Sequence, residues 1–268
     1  MKTYKKYITL NKNSRGCYIL DTIKGCCTCL QNNLMGCYGE CYACKIAKRY
    51  RFDFSKSIIR DFKYDDKQLF FCGFKDLTHT NKIVNQIRKA DMPFIRIGEM
   101  GDPSENWEHT IGICKEIYNY GKKIVIVTKH WKKIPDKLLK DIERMGLCIN
   151  TSISALDNDE QIDDRLNEFH RLKNVCNSVL RIVSCDFNKQ NEQGLHLAII
   201  QEELFKNSKN IDTIFRPSVK NELVLKKIIK VERVKFLNSY CYASVFNKNT
   251  YLGYCNKCPD KCGIEIKH

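Results

Sequence analysis

The sequence lacks a long apolar run. In a chain of 268 residues the longest such stretch spans only residues 69–74, whereas a membrane-spanning helix needs about 20 apolar residues. Residues 1–16 carry positive charge but no apolar stretch of the kind that a secretory signal requires. We therefore expect a cytoplasmic protein with no membrane-spanning helix. In that reducing compartment, disulfides do not account for its cysteines.

Familiar patterns of hydrolytic and phosphate-binding sites are also missing. The 6 histidines show no metal-ligand spacing, and neither a Ser/His/Asp set nor a glycine-rich phosphate loop is present. The net charge is +15, yet only 12 of the 46 basic residues are arginine. A positive charge of this size favours an anionic partner such as a nucleic acid. Phosphate-binding surfaces rely strongly on arginine, so the low arginine count makes this a weak indication.

Short apolar runs alternate with amphipathic stretches from residue 93 onward, the pattern of βα units. Apolar residues recur at helical spacing between the runs, as at Trp107, Ile111, Cys114 and Ile117. We predict six strands, at residues 18–20, 94–97, 124–127, 148–153, 179–183 and 212–215. Six units predict an α/β fold with a partial (βα)6 TIM-like barrel over residues 1–230 and a small cysteine-rich extension over residues 231–268.

Cysteine is abundant, with 16 in the chain. The sharpest motif is Cys37, Cys41 and Cys44, spaced C-x3-C-x2-C. Three thiolates can hold three irons of a 4Fe-4S cube and leave the fourth iron open to another ligand. A structural zinc site would instead require a fourth protein ligand. The nearby cysteines available for that role are Cys26, Cys27 and Cys29.

With Gly98 and Glu99 at the end of the next predicted strand, this cysteine loop resembles that of the radical S-adenosylmethionine superfamily. That family has a cluster loop after the first strand of a six-unit partial barrel and a Gly-Glu motif after the next. The resemblance covers roughly residues 15–220. It implies that a 4Fe-4S cluster binds S-adenosylmethionine and cleaves it reductively to a 5′-deoxyadenosyl radical, which abstracts hydrogen from a substrate. It also implies an electron donor such as flavodoxin or ferredoxin.

The resemblance suggests roles for three residues. Tyr42 would shield the cluster, although the family usually has its aromatic residue where this chain has Ala43. Gly98 would let the backbone approach the ligand, although the family's preceding glycine is replaced by Ile97. Glu99 would accept a charge-assisted hydrogen bond from the ammonium group of S-adenosylmethionine.

Polar residues at the predicted carboxyl ends of strands are further candidates for cofactor binding. Ser152 and Ser154 point to the same side of their strand, and one of them could bond the ribose. Lys129 or Arg181 could neutralise the cofactor carboxylate. Each could equally satisfy backbone groups at the strand ends. Cys185 could donate a hydrogen atom to a substrate radical, with simple burial as the alternative.

A second cysteine motif closes the chain. Cys255, Cys258 and Cys262 are spaced C-x2-C-x3-C, and Cys241 could supply a fourth thiolate. Four thiolates saturate either a second 4Fe-4S cube or a zinc ion. Cysteine-rich extensions with auxiliary clusters also occur in the radical S-adenosylmethionine superfamily. A further site is conceivable among the remaining cysteines Cys17, Cys26, Cys27 and Cys29.

Two functional hypotheses result. The first is a radical S-adenosylmethionine enzyme that acts on a macromolecular substrate, either a peptide or protein or a nucleic acid. The second is a zinc-stabilised, basic nucleic-acid-binding protein without catalysis. The βα repeat favours the first, because small zinc modules need no such framework.

Overall fold

The computed structural model describes residues 7–32, 36–62, 82–207 and 209–264. The predicted apolar run at residues 69–74 and the last residues of the predicted extension, 265–268, lie outside them. The strands are β1 (Leu10–Lys12), β2 (Tyr18–Leu20), β3 (Ile23–Lys24), β4 (Ile58–Ile59), β5 (Phe94–Ile97), β6 (Lys123–Thr128), β7 (Cys148–Ile153), β8 (Asn177–Ser184), β9 (Asp186–Phe187), β10 (Asn210–Ile214), β11 (Ile229–Lys230), β12 (Glu232–Phe236) and β13 (Ser239–Ala243).

The helices lie mainly between these strands. They are α1 (Cys27–Asn32), α2 (Tyr42–Tyr50), α3 (82–89), α4 (Trp107–Tyr118), α5 (Leu139–Met145), α6 (Asp159–Leu172), α7 (Glu192–Phe205) and α8 (Glu222–Leu225). None of the helices in the described residues has the length and apolarity needed to cross a membrane.

One seven-stranded sheet organises the fold, in the order β1, β2, β5, β6, β7, β8, β10. The β1 strand runs antiparallel to β2, and the other six strands are parallel to one another. These six are the strands predicted from the sequence. The sheet is open, since β1 and β10 at its two sides do not pair with each other.

Side chains alternate between the two faces of the sheet. On one face, Ile95, Ile126 and Ile149 pack in the same apolar cluster as Ile111 of α4 and Ile142 of α5. The predicted amphipathic pattern of α4 is confirmed by this packing. The opposite face, which we call the arginine face, carries these residues: Phe94, Arg96, Val125, Cys148, Asn150, Val179, Arg181 and Ile211.

Parallel strands place all their carboxyl ends at one edge of the sheet and all their amino ends at the other. The loops that follow β2, β5, β6 and β7 therefore meet at the carboxyl-terminal edge. The segment after β13 crosses the opposite, amino-terminal edge, where Asn177 at the start of β8 donates a 2.8 Å hydrogen bond to the carbonyl of Gly263.

Candidate metal and cofactor site

The predicted cluster loop lies at the carboxyl-terminal edge. Its turn requires Gly36, because a Cβ there would lie 2.3 Å from the Cβ of Cys41 and the residue has a φ of 79°. Cys37 begins a short 3₁₀ turn, and Cys44 is buried in the first turn of α2. The structure thus gathers the three predicted ligands Cys37, Cys41 and Cys44 in one packed cluster.

Two more cysteines join this cluster. Cys29 of α1 places its sulfur 3.2 Å from the sulfur of Cys37. Cys26 is buried in the same cluster, and its thiol donates to Oε1 of Glu105 over 3.9 Å. We call these five residues the carboxyl-edge thiols: Cys26, Cys29, Cys37, Cys41 and Cys44. The sequence offers Cys26, Cys27 and Cys29 as candidates for a fourth ligand, and the structure places Cys26 and Cys29 in the cluster of the loop.

The chemistry of the carboxyl-edge thiols fits a metal cluster. Burial and the nearby Cys37 raise the pKa of Cys41 to about 11. In the absence of a metal this side chain is therefore a neutral thiol, and a bound metal would replace its proton. Within the described ranges, no three His, Cys, Asp or Glu side chains form a ready-made ligand set. Ligation would thus require local adjustment of the sulfur positions.

The Gly98-Glu99 turn faces this loop. Gly98 has a φ of 95°, and a Cβ there would lie 2.3 Å from the carbonyl oxygen of Val127. The hydroxyl of Tyr42 donates a 3.2 Å hydrogen bond to the backbone carbonyl of Glu99. Tyr42, Gly98 and Glu99 therefore lie together beside the cysteine loop.

A buried acid that the sequence did not reveal holds this turn. Oδ1 of Asp21 accepts hydrogen bonds from the backbone N–H of Glu99, at 2.8 Å, and of Met100, at 3.1 Å. Burial raises the pKa of Asp21, and the two N–H donors offset part of that effect. Because Asp21 directly follows β2, it connects the first parallel strand to the loop after the second.

The carboxylate of Glu99 already has a cationic partner. Its Oε2 lies 2.7 Å from Arg96, and both side chains are largely buried. Asn13 donates to the same oxygen over 3.4 Å. A ligand ammonium at Glu99 would therefore share the carboxylate with Arg96.

Lys129 belongs to a buried polar network. Its ammonium lies 3.1 Å from Oδ1 of Asp157, and Nη1 of Arg165 lies 2.5 Å from Oδ2. Tyr38 donates a 2.9 Å hydrogen bond to Asp157 and also contacts Lys129. Burial acts to raise the pKa of Asp157, but Lys129 and Arg165 bring it below its ordinary value. Lys129, predicted to neutralise a cofactor carboxylate, is thus already paired with a carboxylate that it shares with Arg165.

The two predicted serines occupy different environments. Ser154 donates a 2.7 Å hydrogen bond to the carbonyl of Val183, and its N–H donates to Asp157. These bonds give it the structural role that was the alternative. Ser152 is buried on the arginine face and pairs in register with Arg181, so it remains the better placed serine.

Arg181 and Cys185 do not lie beside the carboxyl-edge thiols. Arg181 donates to Oδ1 of Asn150 at 2.8 and 3.0 Å, from the middle of β8. Cys185 is fully enclosed in an apolar cluster that includes Phe187 and Phe215. This position matches the packing alternative and gives the role of hydrogen donor no support.

The second predicted cysteine set gathers at the amino-terminal edge, with a change of membership. The thiol of Cys17 interacts with that of Cys255, and Cys262 lies close enough to act on both Cys17 and Cys258. We call these four the amino-edge thiols: Cys17, Cys255, Cys258 and Cys262. Cys241 instead lies in the β12–β13 hairpin, opposite Val234.

Cationic side chains surround the amino-edge thiols. The hydrogen bond from Cys17 lowers the pKa of Cys255, against the effect of burial and with the help of Arg15, Arg96 and Arg181. A shared cavity connects these groups. Its lining includes Arg15, Arg96, Arg181, Arg216, Asp212, Cys255, Cys258, Asp260, Lys261 and Cys262.

Two comparisons with known proteins give no match. No protein-family model matches this chain, and no curated protein matches it either. Its function is therefore inferred from the residues and their geometry.

Proposed function

We propose that the protein is a radical S-adenosylmethionine enzyme that acts on a macromolecular substrate in the cytoplasm. The observation that carries this proposal is the meeting of two motifs at the carboxyl-terminal edge. The loop of Cys37, Cys41 and Cys44 packs there beside the Gly98-Glu99 turn, and Tyr42 connects the two through its bond to the Glu99 carbonyl.

The fold supports the same proposal. Six parallel strands with intervening helices are the number and order expected of a partial (βα)6 barrel. Catalytic groups of such folds lie at the carboxyl ends of the strands, and the carboxyl-edge thiols lie at that edge here.

The chain's own residues would each have a defined task. The thiolates of Cys37, Cys41 and Cys44 would hold a 4Fe-4S cluster. Once bound, that cluster supplies the electron for reductive cleavage of S-adenosylmethionine. Gly98 would allow the ligand close to the backbone. Since Arg96 contacts Oε2 of Glu99, Oε1 would accept the hydrogen bond from the ligand ammonium.

The proposed partners follow from electron supply and charge. Reductive cleavage needs an external one-electron donor, for which a flavodoxin or ferredoxin is suited. The net charge of +15 favours acidic partners and anionic polymers. It favours a nucleic acid over a neutral peptide as substrate, and both remain within the proposed class of macromolecules.

One contact favours the second functional hypothesis. With its sulfur 3.2 Å from that of Cys37, Cys29 could serve as the fourth thiolate of a tetrahedral zinc site. Such a site has no open coordination position. The protein would then be a zinc-stabilised, basic nucleic-acid-binding protein.

Two matched variants separate these hypotheses. The protein, Cys41→Ala and Cys29→Ala should be purified anaerobically and analysed for iron, sulfide, zinc and 5′-deoxyadenosine formed with dithionite and S-adenosylmethionine. We expect Cys41→Ala to lose about four irons and all 5′-deoxyadenosine formation while remaining folded. Cys29→Ala should retain both, because the proposed cluster does not use it.

The opposite pattern would overturn the enzyme proposal. A wild-type protein with zinc and no iron, whose zinc is lost equally in Cys29→Ala and Cys41→Ala, would establish the tetrahedral site. Formation of 5′-deoxyadenosine by Cys41→Ala would remove the cysteine loop from the chemistry.

A further inference from the structure

We propose that Cys17, Cys255, Cys258 and Cys262 bind one metal centre through four thiolates at the amino-terminal edge of the sheet. The ligand class is a thiophilic centre, either a 4Fe-4S cube or a zinc ion. This site does not depend on the proposed enzymatic function, since it shares no residue with the carboxyl-edge thiols.

The four cysteines come together from two widely separated stretches of sequence. Cys17 directly precedes β2 and is fully buried. Cys255 and Cys262 lie in two short 3₁₀ turns, at Cys255–Lys257 and Lys261–Gly263. Cys17 interacts with Cys255, and Cys262 acts on both Cys17 and Cys258. Cys17, Cys255 and Cys262 pack in one buried cluster, and Cys258 lines the same cavity as Cys255 and Cys262. Since no described set of His, Cys, Asp or Glu side chains has a ready-made ligand geometry, metal binding would draw the four sulfurs closer together.

Directed hydrogen bonds fasten the two stretches to each other. The N–H of Cys255 donates a 2.7 Å bond to the carbonyl of Arg15. In return, Nε of Arg15 donates a 2.8 Å bond to the carbonyl of Gly253. The position of Cys17 relative to Cys255 is therefore fixed on both sides by backbone contacts.

The sheet itself holds the other end of the segment. Asn150, on the arginine face, donates a 3.0 Å bond to the carbonyl of Cys262, next to the bond that Gly263 accepts from Asn177. Lys261, Cys262 and Gly263 have φ values of 42°, 56° and 88° in succession. Such a run of left-handed residues persists only where its surroundings over-determine it. Here the hydrogen bonds to the carbonyls of Cys262 and Gly263 hold it, and Cys262 packs in the cluster that contains Cys17 and Cys255.

The arginines around the four cysteines favour a metal centre with a net negative charge. Four arginines line the cavity with two aspartates. One of the four, Arg96, is paired with Glu99 through Nη2, and within the described part of the chain its Nε is buried without a hydrogen-bond partner. Buried cations need compensating charge. Four thiolates around a zinc ion or an oxidised cube carry a net charge of about −2, which would supply it.

Cys241 provides a matched control. From the sequence, Cys241 is the candidate for the fourth ligand, whereas in our proposal the fourth ligand is Cys17. Cys241 sits on β13, near Arg216. The two cysteines therefore make opposite predictions about metal content.

The decisive measurement compares metal content in a Cys41→Ala background, which removes the proposed carboxyl-edge cluster. Adding Cys17→Ala should lower the content by one whole centre, about four irons with their sulfides or about one zinc. Adding Cys241→Ala should change nothing. Full metal content after Cys17→Ala, or loss after Cys241→Ala, would overturn the four-cysteine site.

Protection from alkylation tests the site even if the Cys17 variant does not fold. In the metal-loaded Cys41→Ala protein, the partly exposed Cys258 should resist iodoacetamide and become labelled after removal of the metal with a chelator. Equal labelling of Cys258 before and after chelation would contradict the proposal. If Cys41→Ala alone keeps the wild-type metal content, the proposed function fails. The difference in metal content between the added Cys17→Ala and Cys241→Ala changes would still test the four-cysteine site.

Discussion

The two thiol groups differ in how the chain builds them. Three carboxyl-edge thiols come from one loop of eight residues, Cys37–Cys44, and pack against α1. The amino-edge thiols come from positions 17 and 255–262 and meet only because the segment after β13 crosses the sheet. Ligands within one loop are visible in sequence spacing. A ligand contributed from a distant strand is visible only in the fold.

Their electrostatic surroundings differ as well. Beside the carboxyl-edge thiols, Lys129 and Arg165 share the single carboxylate of Asp157 in a buried network. Around the amino-edge thiols, arginines outnumber the acids. Both regions therefore hold more cations than acids, but the cations surround one buried carboxylate in the first region and line a cavity in the second. Variants that damage one region alone sharpen this contrast.

The largest effect is expected from Asp157→Asn. Removing one member of a buried ion pair leaves the others uncompensated and typically costs about 3–5 kcal/mol. Because the pKa of Asp157 is lowered in the folded protein, its stabilising contribution is present above the unfolded pKa of about 3.9 and is lost as the pH falls through the lower folded value.

Urea unfolding between pH 2 and 7 measures both effects. The exposed Asp164→Asn on α6 is the control and should leave stability and its acid dependence unchanged. A wild-type acid dependence in Asp157→Asn would show that this carboxylate is not the titrating group. Metal at the amino-edge thiols should stay bound in the variant at neutral pH.

A smaller effect is expected from Gly98→Ala. The new Cβ would meet the Val127 carbonyl at 2.3 Å in a left-handed backbone, a strain of about 1–3 kcal/mol. If the turn moves to relieve this strain, binding of S-adenosylmethionine should also weaken, which calorimetry would measure. Gly112→Ala in α4 has nothing within 4 Å of its new Cβ and serves as the control. Equal binding by both variants would argue against a role for the turn.

The smallest effect is expected from Asn177→Ala. This change removes the 2.8 Å bond to the Gly263 carbonyl and should lower stability by about 1 kcal/mol. It should also speed the loss of metal from the amino-edge thiols to a chelator while leaving 5′-deoxyadenosine formation unchanged. The exposed Asn249→Ala is the control. Faster loss of metal from the carboxyl-edge thiols instead would contradict the role of Asn177 at the amino-edge site.

The sequence predicts much of the framework. The six parallel strands are short apolar runs because both of their faces are covered, and Ile162, Phe169 and Leu172 mark the buried side of α6 as their spacing predicts. The short pairs β3–β4 and β9–β11 have only two residues per strand, too few for any period to appear.

The site is less completely predictable. Tyr42 and Glu99 meet as the motifs imply, but Asp21 and Asp157 are single acids with no recognisable spacing, and their partners come from other strands. Proximity in sequence suggests a metal site that includes both Cys17 and Cys26. In the structure β2 lies between them, and the two residues are at opposite edges of the sheet. Distance along the chain is a poor guide wherever a strand intervenes.

The bond between Arg15 and Cys255 has a consequence for biogenesis. A ribosome must add more than two hundred residues after Cys17 before its partners emerge, so the amino-edge thiols cannot assemble co-translationally at an early stage. Until then Cys17 is an exposed nucleophile, open to oxidation or capture by a wrong metal. The four thiols of the proposed site can therefore come together only after the segment that follows β13 has been synthesised.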